Sequence, residues 1–291
     1  ALCEHRGEPM EALAAEVAKV ALVSPAQRRD AHEALRATEA RALAMRAQLR
    51  RLLGRIAAHE GAAAMRGLAR GGVLKQERAD PRRHTLGDDF DLELLRLFEA
   101  FGLRQLRDGA VMGAAQGGLS LGTAWDLRPG VRDRFIADKQ IKVVEMRAET
   151  KRIVDETVRR ITRDADAETP RPSLGDVARR LQLQLPQTGA YTPARAERIA
   201  RTEVGTAIES GRREGFLVAG VRHHKWVSLQ IPGRTRGSHF RAHGQVQPIN
   251  RPYRFRGENG GEVVLWHPKD ASGPPEEVIN CMCADSPVRN P

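Results

Sequence analysis

A chain of 291 residues that is 41% hydrophobic has room for about two domains and enough apolar side chain to bury a core. Its formal net charge of +11 favours polyanionic partners, nucleic acid or an acidic protein surface, and with 4% aromatics and Trp226 and Trp266 in the last third, the N-terminal half depends on Leu, Ala, Ile and Val, which suit helices better than sheets. Cys3, Cys281 and Cys283 are too few for a secreted disulfide framework, no apolar run reaches the roughly 18 residues of a membrane span, and the opening ALCEHRGEPMEALAAEV lacks a basic-then-apolar leader, so a reducing, soluble compartment is expected.

In chain order, a short helical pattern runs from Met10 to Leu22. Ser24-Pro25 then starts a new element, with proline in a first turn where its missing N–H costs nothing. From about 25 to 69 the sequence is helical and rich in Ala and Arg. Ala42, Met45, Leu49, Leu52 and Ile56 recur at helical spacing and define one seam, which predicts packing against a partner helix. Arg46, Arg50, Arg51 and Arg55 fall mostly off that seam. They are candidates for contact with DNA phosphates, and solvated arginines on an exposed face are the alternative. Residues 70–89 predict a break between helices. Asp91 to Ala115 is helical again, and Gly109, Gly113, Gly117 and Gly118 predict a weakened end.

A Gly/Ser/Pro connector around Trp125 covers 116–130, and helix returns from Val131 to about Arg163. Thr169 to Pro172 breaks it. Ser173, with Asp176 three residues on, has the form of an N-cap for a helix that ends at Pro186 to Gly189. Pro193 opens another helix, apolar at Ile199, Ala200, Val204, Ala207 and Ile208 and closed by Gly220. There the period changes to two. His224, Trp226, Ser228 and Gln230 alternate with Lys225, Val227 and Leu229, as in a strand. GENGGE at 257–262 predicts a turn between two short strands. The expected fold class is α+β, a mostly helical N-terminal region followed by a small α+β C-terminal domain. The expected divisions are 1–125, a helical arm; 126–189, a helical lead-in; and 190–291, the α+β domain.

The C-terminal third carries five stretches in a distinctive order: RAERIARTE (Arg195 to Glu203), HKW (His224 to Trp226), RTRGSH (Arg234 to His239), HGQV (His243 to Val246) and PEEVINCMC (Pro275 to Cys283). Together they resemble the C-terminal domain of the phage Mu protein F-like family, the minor capsid or head morphogenesis proteins of tailed phages. The resemblance covers about 190–286, the helices from about 130 to 189 fit the family's lead-in, and residues 1–120 lie outside it. Three positions depart from the family pattern. Pro232-Gly233 stands where an Asp is usual, Met282 where an Arg separates the cysteines, and His243 where Asp or Asn precedes the glycine. They weigh against a shared catalytic role and leave a structural one.

The resemblance implies a non-enzymatic virion component inside the head near the portal, present in host cytoplasm during assembly. Its partners would be the portal, capsid and scaffold proteins, with the arm at 1–125 facing portal or capsid, and double-stranded DNA bound without sequence preference. It further implies a structural motif of Arg201, Thr202, Glu203, Trp226, Arg236, His239 and Asn280. No cofactor is required, and zinc is the one for which ligand types are present.

Cys281 and Cys283, one residue apart, admit three roles. With His239, His243 or His267 they could bind zinc, which takes sulfur and nitrogen ligands tetrahedrally. They could instead be buried thiols sharing one face of a final strand. A redox role would need a disulfide across a very small ring, with poor geometry. His239 and His243 stand four residues apart, a spacing that shares a helical face and suits a metal, although residue 240 is Phe where zinc proteases have Glu. The alternative for His239 is a hydrogen bond within a turn held by Arg236. A competing class is a metal-dependent nuclease or other DNA-acting enzyme: His223-His224, Asn250 and His267 follow in the order His, Asn, His at loose spacing. Arg201 and Glu203 could serve ADP-ribosyl transfer, but no Ser-Thr-Ser strand follows. GAAQGGLSLG at 113–122 lacks the Lys of a phosphate-binding loop and has the composition of a connector.

Overall fold

The computed structural model describes residues 23–69, 89–122, 125–169, 174–184, 187–190, 192–231 and 233–288. Cys3, the Met10–Leu22 pattern, the break after residue 69, the cap at Ser173 and Pro232 lie outside them. Five long elements come first: α1 (Pro25–Ala69), α2 (Asp89–Gly117), α3 (Pro129–Asp166), α4 (Leu174–Gln184) and α5 (Pro193–Val218). Short elements follow: β1 (His223–Val227), α6 (Gly237–Ala242), β2 (Val246–Pro248), β3 (Tyr253–Arg256), β4 (Glu262–Leu265), α7 (Pro275–Val278) and β5 (Ala284–Val288). The fold is α+β, as the sequence predicts. Its residues group into two compact units, one of Ala42–Leu103 with Leu127–Ala200, the other of Ala1–Arg41, Arg104–Asp126 and Arg201–Pro291.

The first unit is helical. The seam residues Ala42, Met45, Leu49, Leu52 and Ile56 are all buried, as are Leu94, Leu95 and Phe98 of α2 and Val143, Met146 and Val154 of α3. The residues of each set fall on one side of a 3.6-residue period, so each helix turns one apolar stripe inward. At Gly102 the stripe is bare, and a Cβ there would stand 2.3 Å from the Phe135 ring. Arg147 of α3 reaches Glu60 at 2.9 Å and Asp91 at 2.8 Å, which sets its largely enclosed guanidinium between two carboxylates. Arg195, near the start of α5, donates to Glu149, Thr150 and the Ala190 carbonyl.

In the second unit α1 starts with a reciprocal cap. The Ser24 hydroxyl accepts the Gln27 N–H at 3.2 Å and Gln27 Oε1 accepts the Ser24 N–H at 3.1 Å, with Pro25 in the first turn. The glycines of α2 do not weaken its end, and the helix runs through to Gly117. They let it meet α5 backbone to backbone. A Cβ on Gly109 or Gly113 would stand 2.3 or 2.2 Å from the Ile208 or Arg212 carbonyl oxygen. Reciprocally, a Cβ on Gly211 or Gly215 would stand 2.0 or 2.1 Å from the Leu106 or Ala110 oxygen. Past α5, Gly220 takes φ +70°, and the Val221 N–H returns to the Phe216 carbonyl, ending the helix as predicted.

β1 is the central strand of an antiparallel sheet of order β2-β1-β5, and β3 and β4 form a separate hairpin closed by the GENGGE turn. The strand reading for His224 to Gln230 is too long. β1 ends at Val227, and Gln230 has φ +52°. Trp226, Tyr253, Val263, Leu265, Val278, Cys281 and Cys283 make one core, with Phe255 against it.

Candidate functional site

The residues that converge come from two places. Arg236 caps α6, a short helix that presents His239 inward. At the other side α7 ends at Val278, and Asn280 adopts φ +57°, a left-handed turn that asparagine tolerates. That turn sends Cys281 and Cys283 inward before β5 begins, so the cysteines precede the final strand instead of lying on it. The two segments are tied directly, since the Arg236 guanidinium donates to the Ile279 carbonyl.

His239 Nδ1 lies 3.5 Å from Cys281 Sγ and 3.4 Å from Cys283 Sγ. Its other nitrogen, Nε2, lies 3.0 Å from Glu277 Oε2, a close contact off the line of the ring N–H. Glu277 is itself fixed: Ser238 Oγ donates to Oε2 and the Glu258 N–H to Oε1, each at 2.8 Å. Glu258 in turn accepts the Ser238 N–H, which holds its carboxyl below the usual range. Trp226 and Phe255 stand edge-on to the imidazole, with centroids 5.3 and 5.9 Å away. Burial raises the Cys281 thiol, but hydrogen bonds from Cys283 and His239 outweigh it and hold the group well below the ordinary thiol value. Cys283 is pushed well up, by burial and then by its neighbour Cys281. The pair therefore gives up one proton far more readily than two.

His243 does not join this group. α6 ends at Ala242, and at His243, with ψ 132°, the chain leaves the helix. Its Nδ1 accepts the Ser228 N–H at 3.0 Å instead. Among the described residues, His239, Cys281 and Cys283 form the one set of three or more His, Cys, Asp or Glu side chains close enough to share an ion.

Behind the site lies a buried network that the sequence reading missed. Glu209 and Arg212 pair at 2.9 Å with both side chains 0% exposed. Glu209 also accepts the Asp285 N–H at 2.9 Å and faces Lys269 Nζ at 3.6 Å. Lys269, at φ +66°, donates to the Cys283 carbonyl, and its own carbonyl accepts from Thr206. Asp285 takes His224 Nδ1 and the Tyr253 hydroxyl, each at 2.8 Å. Burial, then the Asp285 charge, drive the Tyr253 phenol well above its ordinary value. Glu209 and Arg212 stand three apart on α5, the spacing of an ordinary solvated pair, so the local sequence carries no mark of their burial.

The other motif residues are placed as follows. Thr202 Oγ1 accepts the Asn280 N–H at 3.2 Å, Trp226 is fully buried, Glu203 is buried and Arg201 is half-buried. His224 and His267 have separate partners: His224 is held by Asp285, His267 by Ser210 and the Pro268 carbonyl, while Asn250 is exposed. On α1, Arg50 and Arg51 are exposed, Arg46 pairs with Glu197, and Arg55 pairs with Glu93. No helix among the described residues is long and apolar enough to cross a membrane. No family model, curated protein or solved structure matches the chain.

Proposed function

We propose that the chain is a structural component of a tailed-phage head: a minor capsid or head morphogenesis protein of the phage Mu protein F-like kind, non-enzymatic, placed near the portal. One observation carries this reading. The motif residues are occupied with one another: Thr202 with Asn280, Arg236 with the Ile279 carbonyl, and His239 with both sulfurs beside Trp226. Groups buried in mutual contacts are poorly placed to meet a substrate, which supports a scaffolding role for the module. The portal, capsid and scaffold proteins are the partners this reading assigns, and packaged DNA is the polyanion that answers a net charge of +11.

Exposed arginines on α1 supply the DNA contact. Because Arg46 and Arg55 already face carboxylates, phosphate must displace Glu197 and Glu93, so binding is weak and strongly dependent on salt. Mass spectrometry of particles made from the genome that encodes the chain is the test. The polypeptide is expected in purified heads, and its absence there refutes the proposal. In parallel, the purified protein retards duplex DNA at about 50 mM salt irrespective of sequence and releases it near about 200 mM. If DNA runs free at the lower salt, only the protein-facing role stands.

A further inference from the structure

The geometry points to a soft divalent metal site, of the zinc class, with His239 Nδ1, Cys281 Sγ and Cys283 Sγ as its protein ligands. This inference stands apart from the virion reading. The three donor atoms all lie within 4.8 Å of one another. Zinc holds sulfur at about 2.3 Å and imidazole nitrogen at about 2.0–2.1 Å, so a tetrahedral arrangement sets the two donors about 3.5 Å apart. The nitrogen-to-sulfur separations of 3.5 and 3.4 Å match that edge.

A second, independent feature is Glu277. Metal-bound histidines almost always direct their other nitrogen to a carboxylate, carbonyl or water, which fixes the ring and its tautomer. Here Nε2 lies 3.0 Å from a buried carboxylate, beside the line of its N–H, and that carboxylate is pinned by Ser238 and the Glu258 backbone. Glu277 is thus a positioning residue and not a ligand.

Charge and softness select the ion. Two thiolates, one neutral imidazole and a divalent cation sum to zero, so the centre can be buried without leaving an uncompensated charge. Two sulfurs and an imidazole suit zinc and disfavour magnesium or calcium, which take oxygen. Such an ion would join α6 to the turn before β5, across 42 and 44 residues of sequence.

The test uses the full chain, purified without a histidine tag or chelator, and elemental analysis. The expected result is about one zinc per chain, lost in Cys281→Ser and Cys283→Ser and retained in His243→Asn. Because the serine variants also disturb a buried core, a second measurement uses the wild-type chain, stripped of metal and titrated with cobalt(II). Tetrahedral thiolate-bound cobalt gives strong visible bands and a thiolate-to-cobalt band in the near ultraviolet. Glu277→Gln keeps those bands but weakens cobalt binding by about ten- to a hundredfold. Wild-type protein that is isolated without metal and shows no cobalt bands overturns the site. Bands that persist at full strength in both serine variants overturn the ligand assignment, and unchanged affinity in Glu277→Gln overturns the role given to that residue.

Discussion

In the helical unit, Arg46 meets Glu197 with side chains 40% and 41% exposed, and Arg55 meets Glu93 with 60% and 42% exposed. In the unit that contains the C-terminal residues, Arg212 meets Glu209 with neither side chain exposed. The pairing chemistry is the same and its consequences are opposite. Water screens the first kind of pair, so each contributes little and either partner can be traded for an outside ligand. The second kind has no such alternative. Removing Arg212 leaves Glu209 inside a core, facing Lys269 and a backbone N–H. The exposed pairs keep their charges available, and the Glu209–Arg212 pair has committed its charges to the core around it.

The widest gap should appear when each kind of pair is broken. Arg212→Met is expected to lower unfolding free energy by about 3–5 kcal/mol, and Arg55→Met by less than about 1 kcal/mol, in urea titrations of the two variants. If Arg212→Met loses as little as Arg55→Met, the contrast collapses. A smaller gap separates two helical glycines. A Cβ at Gly113 would sit 2.2 Å from the Arg212 carbonyl oxygen, while at Gly54 it would meet nothing within 4 Å. Gly113→Ala should cost about 1–3 kcal/mol, whereas Gly54→Ala should stabilise by up to about 1 kcal/mol, and thermal melts will order them.

The smallest effect depends on pH. Burial would raise the Asp270 carboxyl, but His267 beside it and the N–H groups of Trp266 and Ser272 outweigh that and hold it below the usual range. A depressed folded-state value stabilises above the ordinary carboxylate range and fades as pH falls through the depressed value. Asp270→Asn should therefore cost about 1–2 kcal/mol at neutral pH and converge with the wild-type chain in acid. Parallel stability curves at all pH values would remove the carboxylate from the account.

Local signals were legible. The Ala42-to-Ile56 seam, the Ser24-Pro25 start and the GENGGE hairpin each depend on residues within a few turns of one another, and each formed as its pattern predicts. What escaped depended on partners far along the chain. Gly109 and Gly113 carry the same local message whether a helix is ending or another backbone is approaching, and only Gly211 and Gly215 decide between them. The His239 and His243 spacing implied a shared face only if helix continued, and α6 stops between them. Cys281 and Cys283 were recognised as potential ligands together with His239. Glu277 stood in view within PEEVINCMC, yet its partner lies 38 positions upstream, beyond any periodic pattern. The Glu209 and Arg212 spacing is the one used by solvated helix pairs, so nothing local marked it as interior.

The glycine contact between α2 and α5 has a mechanical corollary. Where side chains meet, rotamers can shift and take up a displacement. Here carbonyl oxygens and Cα hydrogens touch instead, and neither has a torsion to spare. Over those turns the two rods behave as one welded beam. Sliding one along the other would drive backbone atoms together, so the pair resists shear there more than side-chain packing would.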